Sequence, residues 1–171
     1  SFIAHAMDLC GEHESAARFH NWVSRVINER EKVIRRAIDK TRAGQALETA
    51  DQLHTRYTLD GHDGEDGWPN FQLDGFGTWL WSLAQHLRSK GSDRLKGWEQ
   101  AANLVVDYLS ELWSSPSYDC WEEFPDQVHT YTLAAICAGL TSTQEILGTD
   151  HRETTTAIID HLQAQLVHNG H

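Results

Sequence analysis

The sequence has few cations and no cluster of them. Lysine and arginine total 14 against 25 acidic residues, a formal net charge of −11. No basic run is denser than Arg35-Arg36. Nucleic-acid binding needs grouped cations to neutralise phosphates, so it is disfavoured. Attraction to an anionic membrane surface is disfavoured for the same reason. Long apolar runs are also missing. The longest stretch, Leu133–Leu140, falls far short of the ~20 residues that span a bilayer. No secretory signal is visible. The chain opens on Ser1-Phe2-Ile3 without methionine, so a missing N-terminus is expected, and with it a signal could be hidden. A cytoplasmic location is the expectation.

Cysteine is sparse and unpaired in pattern. Cys10, Cys120 and Cys137 lie far apart, and no C-x-x-C occurs, so neither a zinc site nor a disulfide framework is indicated. Cys137 reads as a small buried apolar residue. The eleven histidines are scattered, with no H-x-x-x-H or H-E-x-x-H pairing. No metal-ligating set and no cofactor are expected. His54, His62, His151, His168 and His171 read as surface residues. Strand signals are scarce.

Helical periodicity and tryptophan are abundant. The 171 residues suit one compact domain, and apolar content is ordinary at 40%. Such a chain buries roughly two-thirds of its unfolded surface. Seven tryptophans supply large apolar rings for a core. Indole faces also stack on sugar rings, so a neutral, polar ligand fits this composition.

Apolar spacing predicts six helices. They cover about 1–10, about 12 to 40, 71–89, 93–113, 126–147 and 151–167. Three connections are tight and alike: Cys10-Gly11-Glu12, Lys90-Gly91-Ser92-Asp93 and Leu147-Gly148-Thr149-Asp150. Each is a glycine stop followed by a polar residue able to start the next helix. The other two connections, about 41–70 and 114–125, are long. Helices before each tight turn are apolar around much of their circumference, and those after it are amphipathic. The pattern predicts an all-α fold of three helical hairpins, inner helix paired with outer. It is a partial (α/α)6 toroid with its long loops on one face, where function usually sits. Residues 1–171 are expected to be a single segment of a larger catalytic domain, truncated at both ends.

Both long loops end in tryptophan and carboxylates. The first carries Glu65, Asp66, Trp68 and Pro69, and its glycines and aspartates mark turns. A calcium loop does not fit, since His62 and Gly64 occupy ligand positions. Trp68 reads equally as packing or ligand contact. The second runs Tyr118-Asp119-Cys120-Trp121-Glu122-Glu123-Phe124-Pro125. Glu122 and Glu123 could be first-turn residues of the following helix, favoured by capping and the dipole. Trp121 suggests another role. A carboxyl against an indole loses solvation and holds its proton. That suits protonation of a glycosidic oxygen. His129 could orient a carboxylate or simply pack.

The stretch Asp119-Cys120-Trp121-Glu122-Glu123, followed by His129-Thr130-Tyr131-Thr132, resembles the acid-bearing loop of glycoside hydrolase family 15, the glucoamylase family. Asn70-Phe71-Gln72-Leu73-Asp74-Gly75-Phe76-Gly77 is similar to the family's F-Q-L-D segment. Ser1 to Trp22 is similar to the segment after its Arg-Asp motif. The resemblance implies an (α/α)6 barrel and an exo-acting, inverting, metal-independent α-glucoside hydrolase. It implies that Glu122 is the general acid and that Glu123 binds substrate hydroxyls. Trp68 and Trp121 would line subsites, Cys120 would offer its carbonyl to sugar, and Asp119 would support the loop from behind. The substrate would be an α-glucan, an oligosaccharide or trehalose. The family's general base and its Arg-Asp clamp fall outside these residues, so the segment alone is expected to be inactive. Glu65, Asp66 and Asp74 could be proposed as bases, but nothing in the sequence marks them. Rival readings are a carbohydrate-binding toroid without catalysis, another sugar-active toroid enzyme such as a lyase or isomerase, and a plain helical scaffold.

Overall fold

A computed structural model describes residues 1–64, 71–90 and 97–166. The chain folds as α1 (Phe2–Leu9), α2 (His13–Glu29), α3 (Glu31–Arg42), α4 (Asp74–Ser89), α5 (Glu99–Leu112), α6 (Thr130–Leu147) and α7 (Arg152–Leu166). A short 3₁₀ turn, Thr49–Asp51, lies in the first long loop. Among the described residues there is no strand, only an isolated Tyr57–Asp63 bridge.

The expected pairing of inner and outer helices is present. α1 packs on α2, α4 on α5, and α6 on α7, while α4 also packs on both α1 and α6. Thus α1, α4 and α6 form the inner layer, and α2–α3, α5 and α7 the outer one. The periodic apolar faces meet between the layers. Trp79, Leu80, Leu83 and Leu87 of α4 are buried with Val105, Tyr108, Leu109 and Leu112 of α5. Leu133, Ile136 and Leu140 of α6 complete the core. Each such side chain stabilises the fold by roughly 1.5–3 kcal/mol when fully buried.

The closest inner contact has a specific cause. A Cβ on Gly77 would overlap the Ala135 carbonyl, and one on Gly139 would press on the backbone of Gly77. Two glycines facing each other let α4 and α6 touch backbone to backbone. The tight turns at Gly11 and Gly148 take positive φ, +84° and +65°, which glycine adopts without a Cβ clash. The third tight turn, around Gly91, lies outside the described residues.

Several boundaries differ from the sequence expectation, among them the start of α5, which is Glu99 and not 93. The helix expected from about 12 to 40 is broken at Arg30 (φ −106°, ψ 14°) into α2 and α3. The Arg30 side chain is engaged there in the first long loop. It donates to the Gly61 carbonyl at 2.7 Å and to Asp63 Oδ1 at 2.6 Å, and lies over the Tyr57 ring at 4.5 Å. α4 starts at Asp74 rather than 71, and α6 at Thr130 rather than 126. The loop before α6 spends its backbone hydrogen bonds on turns instead.

The histidines that read as scattered converge in part. His20 of α2 and His86 of α4 meet Asp8 of α1 in the interior, and all three are buried. Asp51 anchors the first long loop in a different way. It is 2% exposed and bonds Lys40 Nζ, Arg36 Nε and the Glu48 amide. The Lys40 bond, then the Glu48 amide and the Arg36 bond, hold its carboxyl well below the usual carboxylate range.

Candidate active site

The loop between α5 and α6 is organised by Asp119. Its Oδ1 accepts the amides of Trp121 and Glu123, each at 2.9 Å. Its carbonyl accepts the Glu122 amide at 2.9 Å, and its own amide donates to the Glu123 carbonyl at 3.2 Å. An aspartate bonded to following amides is a local turn device that its neighbours in sequence dictate. The loop is closed at its base by Ser117 N–H to the Gln127 carbonyl, 3.1 Å. It is tied to the start of α4 by Tyr118 N–H to the Phe71 carbonyl, 2.9 Å.

This turn forces two residues into the left-handed region. Glu122 has φ 64° and Phe124 φ 49°. For residues with a Cβ that costs about 1–2 kcal/mol each, a strain that tends to persist where a side chain must be aimed. Glu122 and Glu123 are therefore turn residues. The alternative that they open the following helix is overturned, since α6 starts at Thr130. His129 is the N-cap residue of α6, and its Nε2 donates to the Phe124 carbonyl at 2.9 Å. It buttresses the loop backbone rather than a carboxylate.

Around Glu122 the surface is aromatic and open. Trp121 is 79% exposed, and Phe124 and Tyr131 are also exposed. Glu122 is half-buried, Glu123 and Cys120 exposed, and Asp119 half-buried. The expectation that Trp121 desolvates the acid meets an indole largely open to solvent in this chain. Such an exposed ring beside carboxylates is free to receive a flat sugar face. Trp68, the other expected subsite residue, and Glu65 and Asp66 lie outside the described residues.

Asp74, which nothing in the sequence marked, gains significance. At the first turn of α4, burial pushes its carboxyl above the ordinary range, and the charge of Asp119 adds to the effect. Its charge in turn reaches the Cys120 thiol and the Tyr131 hydroxyl, both also raised, chiefly by desolvation. The Asp74 Oδ1 atom is buried without a hydrogen-bond partner among the described residues. The signal available in sequence was only its place in Phe71-Gln72-Leu73-Asp74, too common a pattern to carry a role. A cavity of about 540 Å³ opens beside the same first turn, lined by Trp22, Tyr57, Gln72, Phe76 and Trp79. The buried Trp79 Nε1 and Gln72 Nε2 have no hydrogen-bond partner among the described residues. The sequence did not point to this cavity, because its walls come from α2, the first long loop and α4.

An all-helical fold of paired inner and outer helices, carrying an acidic, aromatic loop at the start of an inner helix, is the architecture of toroidal glycosidases. The sequence pattern of glycosyl hydrolases family 15 matches residues 2–169, and the chain belongs to that family. It is similar to the isomaltose glucohydrolase of Kribbella flavida, 40% identical over 140 residues, which are 82% of this chain and 36% of that protein. It is also similar to solved structures described as a wild-type glycosidase and as an E335A glycosidase in complex with glucose. Each superposes with a TM-score of 0.90 at 34% identity, over 99% of this chain and 47% of theirs. The chain thus spans between about a third and a half of the length of these relatives.

Proposed function

We propose that this chain is the acid-bearing part of an exo-acting, inverting α-glucoside hydrolase, with Glu122 as general acid. The observation that carries this is the Asp119 turn, which holds Glu122 at positive φ beside the open ring of Trp121. In the reaction, the Glu122 carboxylic acid gives its proton to the glycosidic oxygen as the bond to the anomeric carbon breaks. A second carboxylate removes a proton from a water that attacks that carbon from the opposite face, so the configuration inverts. The two carboxyl groups of such a pair stand ~6.5–9.5 Å apart. We place that second carboxylate outside these residues, which leaves the segment alone inactive.

Glu123, exposed one residue on, accepts hydrogen bonds from substrate hydroxyls. Trp121 and Trp68 flank the scissile bond, and the Cys120 carbonyl meets sugar. Asp119 and His129 act through the loop backbone. The substrate is an α-glucan, an oligosaccharide or trehalose. The likeness to an isomaltose glucohydrolase puts isomaltose first among those to test.

The test uses the full-length protein that carries this chain. Glucose release from isomaltose, maltose, dextrin and trehalose is measured for wild type and Glu122→Gln, with the product anomer followed by NMR. Initial release of β-glucose, lost in the variant, supports the reading. Release of the non-reducing-end glucose of dextrin as the α-anomer rules out inversion. Oligosaccharide binding without cleavage by wild type replaces catalysis with a binding role.

A further inference from the structure

About a dozen residues along α4 from Asp74, or ~18 Å at 1.5 Å per residue, lies a second group of chemically capable side chains. Asp8 at the end of α1, His20 in α2 and His86 near the end of α4 converge there. Asp8 is 5% exposed, and His20 and His86 are 0% exposed. One carboxylate oxygen and one nitrogen from each imidazole lie within 4.8 Å of one another. We propose that Asp8, His20 and His86 form a binding site for a divalent transition-metal ion of the zinc class.

The unsatisfied atoms point this way. Among the described residues, both ring nitrogens of His20, and Nε2 of His86, are buried with no hydrogen-bond partner. Orphaned buried polar atoms of this kind are destabilising. A histidine kept only for packing would donate to a carbonyl or be replaced by an apolar side chain. The two rings face each other with centroids 5.1 Å apart and do not bond each other. The Trp98 ring stands edge-on to both, at 6.0 and 5.5 Å, and closes the site on that side.

The ligand chemistry selects the ion. Two imidazoles and one carboxylate suit zinc and its neighbours, whereas calcium and magnesium prefer all-oxygen shells. Zinc bonds of about 2.0–2.2 Å to nitrogen and oxygen require the donors to draw together at the widest edge. His86 Nδ1, at 2.8 Å from Asp8 Oδ1, already joins two of the three residues. His13 Nδ1 bonds the same Asp8 oxygen at 2.9 Å, and its side chain is 36% exposed. It fixes the carboxylate from outside, as outer partners of metal ligands do, and it marks the path by which an ion enters. An ion here would join two inner helices to an outer one.

The experiment takes the full-length protein, stripped with chelator and titrated with Zn²⁺ and separately with Co²⁺. The expected result is one ion per chain, visible d–d bands for Co²⁺, and a higher Tm with Zn²⁺. His13→Asn should weaken binding ~10–100-fold, the range for loss of an outer partner. His20→Leu fills the site with an apolar side chain and should abolish both the bands and the Tm gain. Binding that is absent in wild type at micromolar free ion, or unchanged in His20→Leu, overturns the proposal. Should His20→Leu fail to fold, X-ray absorption at the zinc edge of the wild type decides. Two imidazoles and a carboxylate support the site, and any ligand set without two imidazoles overturns it.

Discussion

The two ends of α4 treat their carboxylates in opposite ways. At its start, the Asp119 loop is open, aromatic and strained, and it holds Glu122 and Glu123 at or near the surface. Toward its end, Asp8 is enclosed with two histidines, and His20 has no hydrogen-bond partner among the described residues. The first arrangement comes from residues adjacent in sequence, bonded through their own amides. The second joins residues from three helices, 12 and 66 positions apart (20 − 8 and 86 − 20). An open carboxylate on a bent loop can meet a large substrate, and a closed one can only hold a proton or a small ion. Exposure, more than residue type, separates what these groups can do.

Substitutions at the open end should break function and spare the fold. In the full-length protein, Glu122→Gln should lower kcat by at least ~10²–10⁴-fold, the usual share of a positioned acid, with Tm unchanged. A fall in Tm instead would make Glu122 a structural residue. Asp119→Ala removes the oxygen that gathers the Trp121 and Glu123 amides. A displacement of about an ångström there should cost ~10²-fold in kcat/KM, and Asp119→Asn, which keeps that acceptor, should recover much of it. Equal loss in both would mean that the charge of Asp119, not the turn, matters.

Substitutions between and beyond the two ends should spare chemistry and test the frame. Gly139→Ala pushes a methyl against the backbone of Gly77. It should destabilise by about 1–3 kcal/mol as an overpacked contact does, read as a shift in the urea midpoint at constant m. No shift would show that α4 and α6 can separate freely. The smallest effect is at Asp51. Its folded carboxyl sits below the unfolded value of about 3.9. Its contribution is therefore complete above that value and is lost as pH falls through the folded pKa. Asp51→Asn should flatten the acid limb of a stability-versus-pH curve; an unchanged limb would show that Lys40 and Arg36 do not hold it.

Much of the architecture could be read from the chain. The alternation of apolar and amphipathic helices, and glycine stops such as Gly11 and Gly148, foretold hairpins with inner and outer members. Asp119 two and four residues before the amides it captures is likewise a local code. Glu122 and Glu123 were harder to place. A carboxylate pair before a helix and a pair on a turn look the same until the start of α6 is known. Nothing in the sequence showed that Trp22 and Tyr57 share a cavity or that Asp74 lies near the acid loop.

The sequence by itself determined the broad run of the helices, the tight turns at Gly11 and Gly148, and the capture of the Trp121 and Glu123 amides by Asp119. Those features rest on hydrogen bonds and side-chain periods between near neighbours. The tertiary structure alone decided that the chain breaks at Arg30, that Gly77 and Gly139 touch, that Asp74 is desolvated and that Asp8, His20 and His86 share one interior space. Burial and long-range contact are properties of pairs of segments, and neither member of a pair encodes them without the other.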